Sequence, residues 1–502
     1  MWLIFLVHKM KLKTNLSRFF YTNSPIFAVQ NSIKMDSNHK LIFGLKVRQL
    51  RAERRLSFAE LALATGMSIS YLNEIEKGKK YPKDDKIMLL ATALGTTAAD
   101  LTSQQLSKQL SPIGTLLKSQ FLNDLHLEIY GIEPNKVVAM LADAPSQVGA
   151  FISTLMQLSR NHSLQQEHFY FASLRSYQEL HQNYFEELEQ RADECIEEFS
   201  LAQNGKNVST IDLYAILQNK YDYKINKTEL QKHPELAPLR SYYKPETQVL
   251  MLRDDLSEPQ ERFVLAREIA YNYLQIKDRN LGSLPIEVKS FDQVLDNFKS
   301  AYFAVAILLH RDVLLADLRL FFGQRTWQPE LLLLLLSKYQ ASPEMLMHRL
   351  TNLLPHYFGL SQLFFLRFST KKDENEFYMT KELHLSRLHQ PHANQNSEHY
   401  CRRWLSLTLL ADLRTQQIEH NNQSHIAAAQ RSQYIDSDGD EYLCFTIAKT
   451  ATPSPDLNVT VTIGIQITPI SQQRIKFLND PTITRRQVNQ TCERCALSDC
   501  AE

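Results

Sequence analysis

Glycine is scarce in this chain, at 13 of 502 residues, against a usual share of about 7 %. That scarcity argues against folds built on many tight turns or glycine-rich phosphate loops, such as Rossmann units, propellers and β-barrels. Neither a G-x-G-x-x-G nor a Walker A pattern occurs. Long apolar runs are missing too: the pure leucine run spans only Leu331–Leu336, and no apolar run reaches the ~18 residues of a membrane span, so no membrane partner is expected. Cysteine is sparse, at six, and without a signal peptide these six make no secreted disulfide framework, which points to the cytoplasm. The net charge of +1 by itself suggests no polyanion. What is present, 44 % hydrophobic and 22 % charged residues, supplies a sizeable core and excludes global disorder. At roughly 100–200 residues per domain the length suggests three or four domains.

The near-neutral charge is a sum of unlike parts. Residues 1–34 hold Lys9, Lys11, Lys13, Arg18 and Lys34 and no acid, residues 36–103 carry 11 Lys/Arg against 8 Asp/Glu, and residues 104–502 are net acidic. The apolar opening Met1–Val7 lacks a charged segment before it and a small-residue cleavage site after it. An organellar transit peptide shares this composition, but residues 1–34 are read as upstream sequence, with translation starting at Met35.

Along the chain, a helix is expected over Leu41–Arg54. Ser57 with Glu60 forms a capping box for a second helix ending at Gly66. Ser68 opens a third, stopped by Gly78, and Pro82 stands where a first helical position starts a fourth, ending near Gly95. Leu110–Phe199 is helical in pattern. Its last piece, 168–200, carries a stripe of Tyr170, Leu174, Tyr177, His181, Tyr184 and Leu188, which suits a dimer interface or internal core. A boundary follows at Asn204-Gly205. An extended pair, Leu239–Tyr243 and Gln248–Leu252, precedes a helix over Pro259–Ile276 and further helices to about Leu354. Strands return after Phe364: Tyr434–Ile435 and Tyr442–Ala448 flank an Asp438-Gly439 turn, and Val459–Ile467 alternates as a half-buried strand. His384, His389, His392 and His399 fall in a polar stretch that reads as a solvated loop.

The punctuation between 44 and 95 carries chemistry. Gly44-Leu-Lys-Val-Arg-Gln-Leu-Arg51, Leu56-Ser57, Glu60-Leu61-Ala62, Gly66-Met67-Ser68, Leu72, Ile75-Glu76-Lys77-Gly78, Pro82, Leu90-Ala91 and Leu94-Gly95 together resemble the Cro/C1-type helix-turn-helix of the XRE family. The resemblance implies a third helix laid in the major groove of double-stranded DNA. Ser68, Ile69, Ser70, Asn73, Glu74 and Lys77 then face outward, with Asn73 reading adenine, Ile69 touching a thymine methyl and the serines bonding bases or phosphates. Arg51, Lys77, Lys79, Lys80 and Lys83 supply the salt-sensitive phosphate contacts. Phe58 stands where the family usually has Gln. One small head reads few bases, so a homodimer is expected, its two heads about 34 Å apart.

Glu-Arg-Phe-Val-Leu-Ala-Arg-Glu-Ile-Ala-Tyr-Asn-Tyr-Leu over 261–274 and Phe303–Leu309 resemble ImmA/IrrE-type metallopeptidases, whose His-Glu-x-x-His helix binds zinc. Arg267 and Tyr271 stand at the two His positions, and the later Glu ligand falls near Lys299. Guanidinium has no lone pair for zinc, and without the metal Glu268 has no activated water. A pseudo-peptidase is expected, with Arg267 and Glu268 in a structural network. The tail Cys492-x₂-Cys495-x₄-Cys500, with Cys401 as candidate fourth ligand ahead of Cys444, has spacing that suits zinc or an iron–sulfur cluster; separate free thiols are the alternative.

Taken together, the head, the peptidase-like middle, Phe169–Gln190, Cys401–Trp404, Asp438-Gly439 and the cysteine tail resemble the short-chain fatty acid transcriptional regulators. That resemblance implies control by a short-chain acyl-CoA thioester or an iron–sulfur cluster, although Arg402-Arg403 replaces a proline common in relatives. The expected fold is mainly α with α+β parts. It comprises an extension (1–34), a helix-turn-helix domain (35–103), a helical linker or dimerisation segment (104–204), an ImmA/IrrE-like pseudo-peptidase (205–350) and an α+β sensory domain (351–502). The expected function is sequence-specific transcriptional regulation, with no enzyme activity. The alternatives are a metallopeptidase-like antirepressor and a protein-interaction regulator.

Overall fold

The computed structural model describes residues 30–103, 166–202, 207–233, 236, 239–283, 288, 290–372, 374, 376–385, 398–420, 425–435, 439–493 and 495–500. The expectations for residues 1–29, for 104–165, for Asn204-Gly205, for His389 and His392 and for Asp438 fall outside them. The chain divides into two compact units at residues 170/171, called here the head and the body. No helix among the described residues is long and apolar enough to cross a membrane.

The head contains α1 (Gln30–Glu53), α2 (Phe58–Thr65), α3 (Ile69–Glu76), α4 (Asp84–Leu94) and α5 (Ala98–Thr102). Local chemistry sets most boundaries. Ser57 and Glu60 form the capping box of α2, and Gly66 ends that helix in the left-handed conformation at φ 67°. Ser68 caps α3 by accepting from the Tyr71 N–H, and Gly95 ends α4 at φ 57°. Pro82 does not open α4: Lys83 is its N-cap and Asp84 its first residue, while Pro82 is buried before it. Phe43, Val47, Leu61, Leu72, Ile75, Leu90 and Leu94 form the core. At Gly44 α1 lies against the Ile75 carbonyl so closely that a Cβ would collide with it. Lys46 is turned inward, donating to the carbonyls of Asp100 and Ser103 at 2.6 and 2.5 Å and so closing the end of α5.

In the body, the single helix expected over 168–200 is two, α6 (Gln166–Leu180) and α7 (Glu186–Glu198). Between them Gln182 and Asn183 adopt left-handed backbone at φ 51° and 53°. No glycine marks the break. Tertiary bonds hold it instead: Gln178 donates to the Asn183 side chain at 3.0 Å, Asn183 donates to Thr351 at 2.9 Å, and Asn352 donates to the Asn183 carbonyl at 2.9 Å. Glu189 then accepts two bonds from Arg349, at 2.5 and 2.8 Å, and one from Tyr302 at 2.6 Å. Of the stripe read as dimer interface or internal core, Tyr184 joins the main core of the body and Tyr177 stacks on Phe185 at 5.3 Å.

After α8 (Thr210–Tyr221), the strands β1 (Lys224–Asn226), β2 (Ser241–Lys244) and β3 (Val249–Leu252) form a small sheet in the order β1-β3-β2. Helices α9 (Glu258–Tyr273), α10 (Phe291–Leu308), α11 (Arg311–Phe322), α12 (Pro329–Tyr339) and α13 (Pro343–Phe358) follow. The last part holds β4 (Leu363–Lys371), β5 (Tyr378–His384), α14 (Leu405–His420), β6 (Ile426–Tyr434), β7 (Glu441–Thr450), β8 (Leu457–Gln466), α15 (Pro469–Arg474) and β9 (Thr484–Val488). Its six strands run β5-β4-β8-β7-β6-β9. β5 and α14 are additions to the sequence reading, and His384 lies on β5, not in a loop.

Alternation along the strands sends side chains to two buried faces. Phe365, Phe445, Ile447, Val461 and Ile463 join the helices in one core, whereas Phe364, Leu366, Phe368, Tyr442 and Cys444 pack with Trp404, Leu407 and Leu410. The first core runs from Tyr184 to Ile483. It is continuous across residue 350, where a domain boundary is expected from sequence.

Candidate nucleic-acid interface and the degenerate peptidase site

Most of the residues expected to face outward on and after α3 are exposed. Ser68, Ser70, Lys77, Lys79 and Lys80 are exposed and Asn73 is half-buried, while Ile69 is 51 % exposed. Ser68 also has a local task as N-cap, so its oxygen is partly committed to the helix. Lys80 pairs with Glu74 at 2.8 Å; an exposed pair of this kind is worth only ~0–1 kcal/mol and yields readily to a phosphate. Lys86, which the sequence did not single out, sits over the Tyr71 ring at 4.4 Å.

Arg51 is the exception. Its guanidinium bonds both carboxylate oxygens of Glu76 at 2.6 and 3.0 Å, donates to the Leu56 carbonyl at 2.9 Å and lies 4.1 Å from the Phe58 ring centroid. With its partner Glu76 buried, Arg51 latches α1 to α3, so the guanidinium expected at a phosphate is committed within the head. Phe58, at the position where the family usually has Gln, packs against this latch.

In the body, α9 brings Arg267, Glu268 and Tyr271 inside, all buried. Glu268 does not pair with Arg267. Its carboxylate is bonded by Arg279 and accepts from Tyr223 at 3.2 Å. Arg279 also donates to the Tyr223 hydroxyl at 2.8 Å and stacks over Tyr243 and Tyr271 at 4.1 and 4.5 Å. Burial opposes the Arg279 charge, but Glu268 and Tyr223 more than restore it, and burial pushes the Tyr223 phenol up. Tyr271 donates to Asn297 at 3.2 Å, so Asn297, not the nearby Lys299, is the α10 residue that reaches this site. The arrangement is a hydrogen-bonded network around the Arg279 guanidinium, whose Nε is left buried without a partner, and no imidazole takes part in these bonds. No spacing in the sequence marks Arg279, which lies beyond the end of α9.

The cysteine tail folds back beside Tyr400, which forms an antiparallel bridge with Thr491. Cys401 accepts from the Asn489 N–H at 3.5 Å, and Cys492 donates to the Tyr400 carbonyl at 3.5 Å. Arg403 pairs with Asp499 at 3.0 Å and also bonds Cys500. Cys401, Cys492, Cys495 and Cys500 are therefore not assembled into the expected ligand set: no group of three His, Cys, Asp or Glu among the described residues is placed to hold a metal ion. Backbone groups bond the Cys401 and Cys492 sulfurs and Arg403 bonds that of Cys500, while Cys401 also feels the charges of Cys492 and Cys495. Cys444 is buried on β7, its thiol pushed up to about 12 by burial. Arg402, at the first position of the departure from relatives, covers Phe377 at 4.7 Å.

Residues 42–104 match the family described as a helix-turn-helix domain, and residues 220–351 match the IrrE N-terminal-like domain. The chain is 35 % identical over 68 residues to control protein C.BamHI of Bacillus amyloliquefaciens, a span of 13 % of this chain and 84 % of that protein. It is 36 % identical over 56 residues to the HTH-type transcriptional regulator DdrOP3 of Deinococcus deserti, covering 11 % of this chain and 43 % of that relative. A solved structure of a Mycobacterium tuberculosis transcriptional regulator aligns at 17 % identity with a TM-score of 0.46, over 66 % of this chain and 92 % of that one.

Proposed function

The chain belongs to the XRE-type helix-turn-helix regulators and carries an IrrE-like domain in its body, and from that premise we propose that it is a cytoplasmic, sequence-specific transcriptional regulator. It binds double-stranded DNA as a homodimer and responds to a short-chain fatty acid, its acyl-CoA thioester or a redox change. The observation that carries this reading is the outward face of α3, where Ser70, Asn73 and Lys77 stand free of the core while Leu72 and Ile75 are fully buried. Such a face suits groups that read base edges at a fixed depth in a major groove. The signal part of the reading comes from the resemblance to the short-chain fatty acid regulators.

A peptidase-like antirepressor finds less support. Arg267 and Tyr271 offer zinc no neutral imidazole, and Arg279 already neutralises Glu268. Genome-wide footprinting with and without a short-chain acid as carbon source tests the proposal. Discrete protected promoters, its own included, whose occupancy changes with the carbon source support it; occupancy indifferent to the carbon source removes the signal part, and no discrete sites removes the regulator.

A further inference from the structure

Four cations of the body gather round a single carboxylate, Glu344, and a fifth, Arg267, stands near one of them. Strand register puts three of them on one side of the large sheet. Lys381 of β5 stands directly opposite Arg367 of β4, which stands opposite Val461 of β8. Lys449 of β7 is opposite Val459, two residues from Val461 and so on the same side. The N-terminal turn of α13 meets that side with Glu344, which Lys381 and Arg367 both engage, the latter at 3.5 Å. His348, one turn further along α13, stacks on Phe365 at 4.1 Å.

The other two cations, Arg240 just before β2 and Arg267 of α9, come from the IrrE-like segment. Arg240 feels the charges of Glu344, Arg367 and Arg267, and Lys449 those of Glu344, Arg240 and Arg367. Among the described residues Arg240, Arg267 and Lys449 have no carboxylate in ion-pair contact, and the Arg267 Nε is buried with no hydrogen-bond partner. Crowding like charges away from bulk water is costly. Burial, with Arg367 and Arg240 adding to it against Glu344, brings the Lys381 ammonium down to about 8. Solvent still reaches the cluster: the side chains of Lys381, Glu344 and Arg367 keep 13 %, 16 % and 19 % of their exposure. A strongly cationic cluster that solvent reaches and that holds one carboxylate among the described residues suits an anion, and its arginines present forked donors suited to planar or tetrahedral oxyanions.

We propose that this cluster between the sheet and α13 is a receptor for the multiply charged oxyanion of a small ligand, a phosphate ester or a polycarboxylate, and that Glu344 is the internal counter-ion holding the cations until that anion arrives. The proposal rests on the reading that the body receives a small-molecule signal, and it locates where the ligand's charge is held.

The test is calorimetric titration of the full chain, without DNA, with pyrophosphate and separately with citrate, against sodium chloride at matched ionic strength. Saturable binding is expected, weakened at least tenfold in Lys449→Gln and in Arg367→Gln. Glu344→Gln removes the competing carboxylate and is expected to tighten binding several-fold, an opposite sign that a merely structural cluster would not give. Thermal melting checks that each variant folds, and Lys449→Gln, on a partly exposed residue, decides if Arg367→Gln does not. Binding of pyrophosphate alone assigns a phosphate ester, and binding of citrate alone a polycarboxylate. No saturable binding of either above matched salt, or equal affinity in all variants, overturns the proposal. Operator binding is measured separately: DNA bound with no anion bound rejects this site alone, whereas anion bound with no operator recognised rejects the regulator reading and leaves the site.

Discussion

Head and body use basic side chains in opposite ways. In the head, Lys77, Lys79 and Lys80 project into solvent, and the inward-turned Arg51 is latched to Glu76. In the body several arginines go inside: Arg349 is fully buried on Glu189, Arg262 is buried and donates to the carbonyls of Tyr339 and Gln340 at 3.1 and 3.0 Å, and Arg279 closes on Glu268. Exposed cations suit a large polyanion met from outside, where counter-ion release drives binding. Buried ones either lock helices together or wait for a small anion. The overall charge of the chain conceals this division, because its sign says nothing of which way a side chain points.

Five variants sharpen the contrast, from the largest expected effect to the smallest. Arg349→Ala strands the Glu189 carboxylate in the body core and is expected to cost about 3–5 kcal/mol there. Hydrogen exchange read separately over the two units should show the body loosened and the head unchanged; equal loosening of both would erase the division. Asn73→Ala combined with Lys77→Ala should weaken operator binding by at least tenfold, since one good base contact is worth about 1–3 kcal/mol, with the body's urea transition unmoved. Arg51→Gln and Lys79→Gln separate latch from phosphate contact. The first should lower head stability by about 1–3 kcal/mol by unpairing buried Glu76 and leave the salt dependence of DNA binding intact. The second should leave stability intact and reduce the slope of log affinity against log salt by about 0.9. The reverse pattern would return Arg51 to the DNA interface. Finally, Arg267→His with Tyr271→His should leave zinc content substoichiometric, because Arg279 still occupies the Glu268 carboxylate; one zinc per chain by metal analysis would show that two imidazoles suffice.

The head was legible because its signals are local. Ser57 with Glu60, Ser68, Gly66 and Gly95 each set a helix end through atoms within a few residues. Arg51 finds its partner 25 positions away in Glu76, a pairing beyond any local rule. Pro82 was misplaced by a small step, since Lys83 and the acidic pair Asp84 and Asp85 make the actual helix start. In the body the same gap widens. The break between α6 and α7 has no glycine or proline, and Asn183 holds its left-handed backbone through Thr351 and Asn352, more than a hundred residues on. The loss of the zinc ligands was visible as Arg267 and Tyr271, yet the guanidinium that fills their role as counter-charge comes from Arg279 outside the motif. The anion cluster depends on strand register across β5, β4, β8 and β7, which no single stretch of sequence encodes.

The central claim is that α3 reads base sequence. Its most direct test is a footprinting titration of the purified chain on promoter fragments at rising salt, with Asn73→Ala/Lys77→Ala beside it. The expected result is a protected pseudo-palindrome with half-sites about one helical turn apart, still occupied at a salt concentration that strips non-specific DNA and lost in the double variant. Protection that is uniform along every fragment, fades at one salt concentration for all of them and survives the double substitution would contradict it.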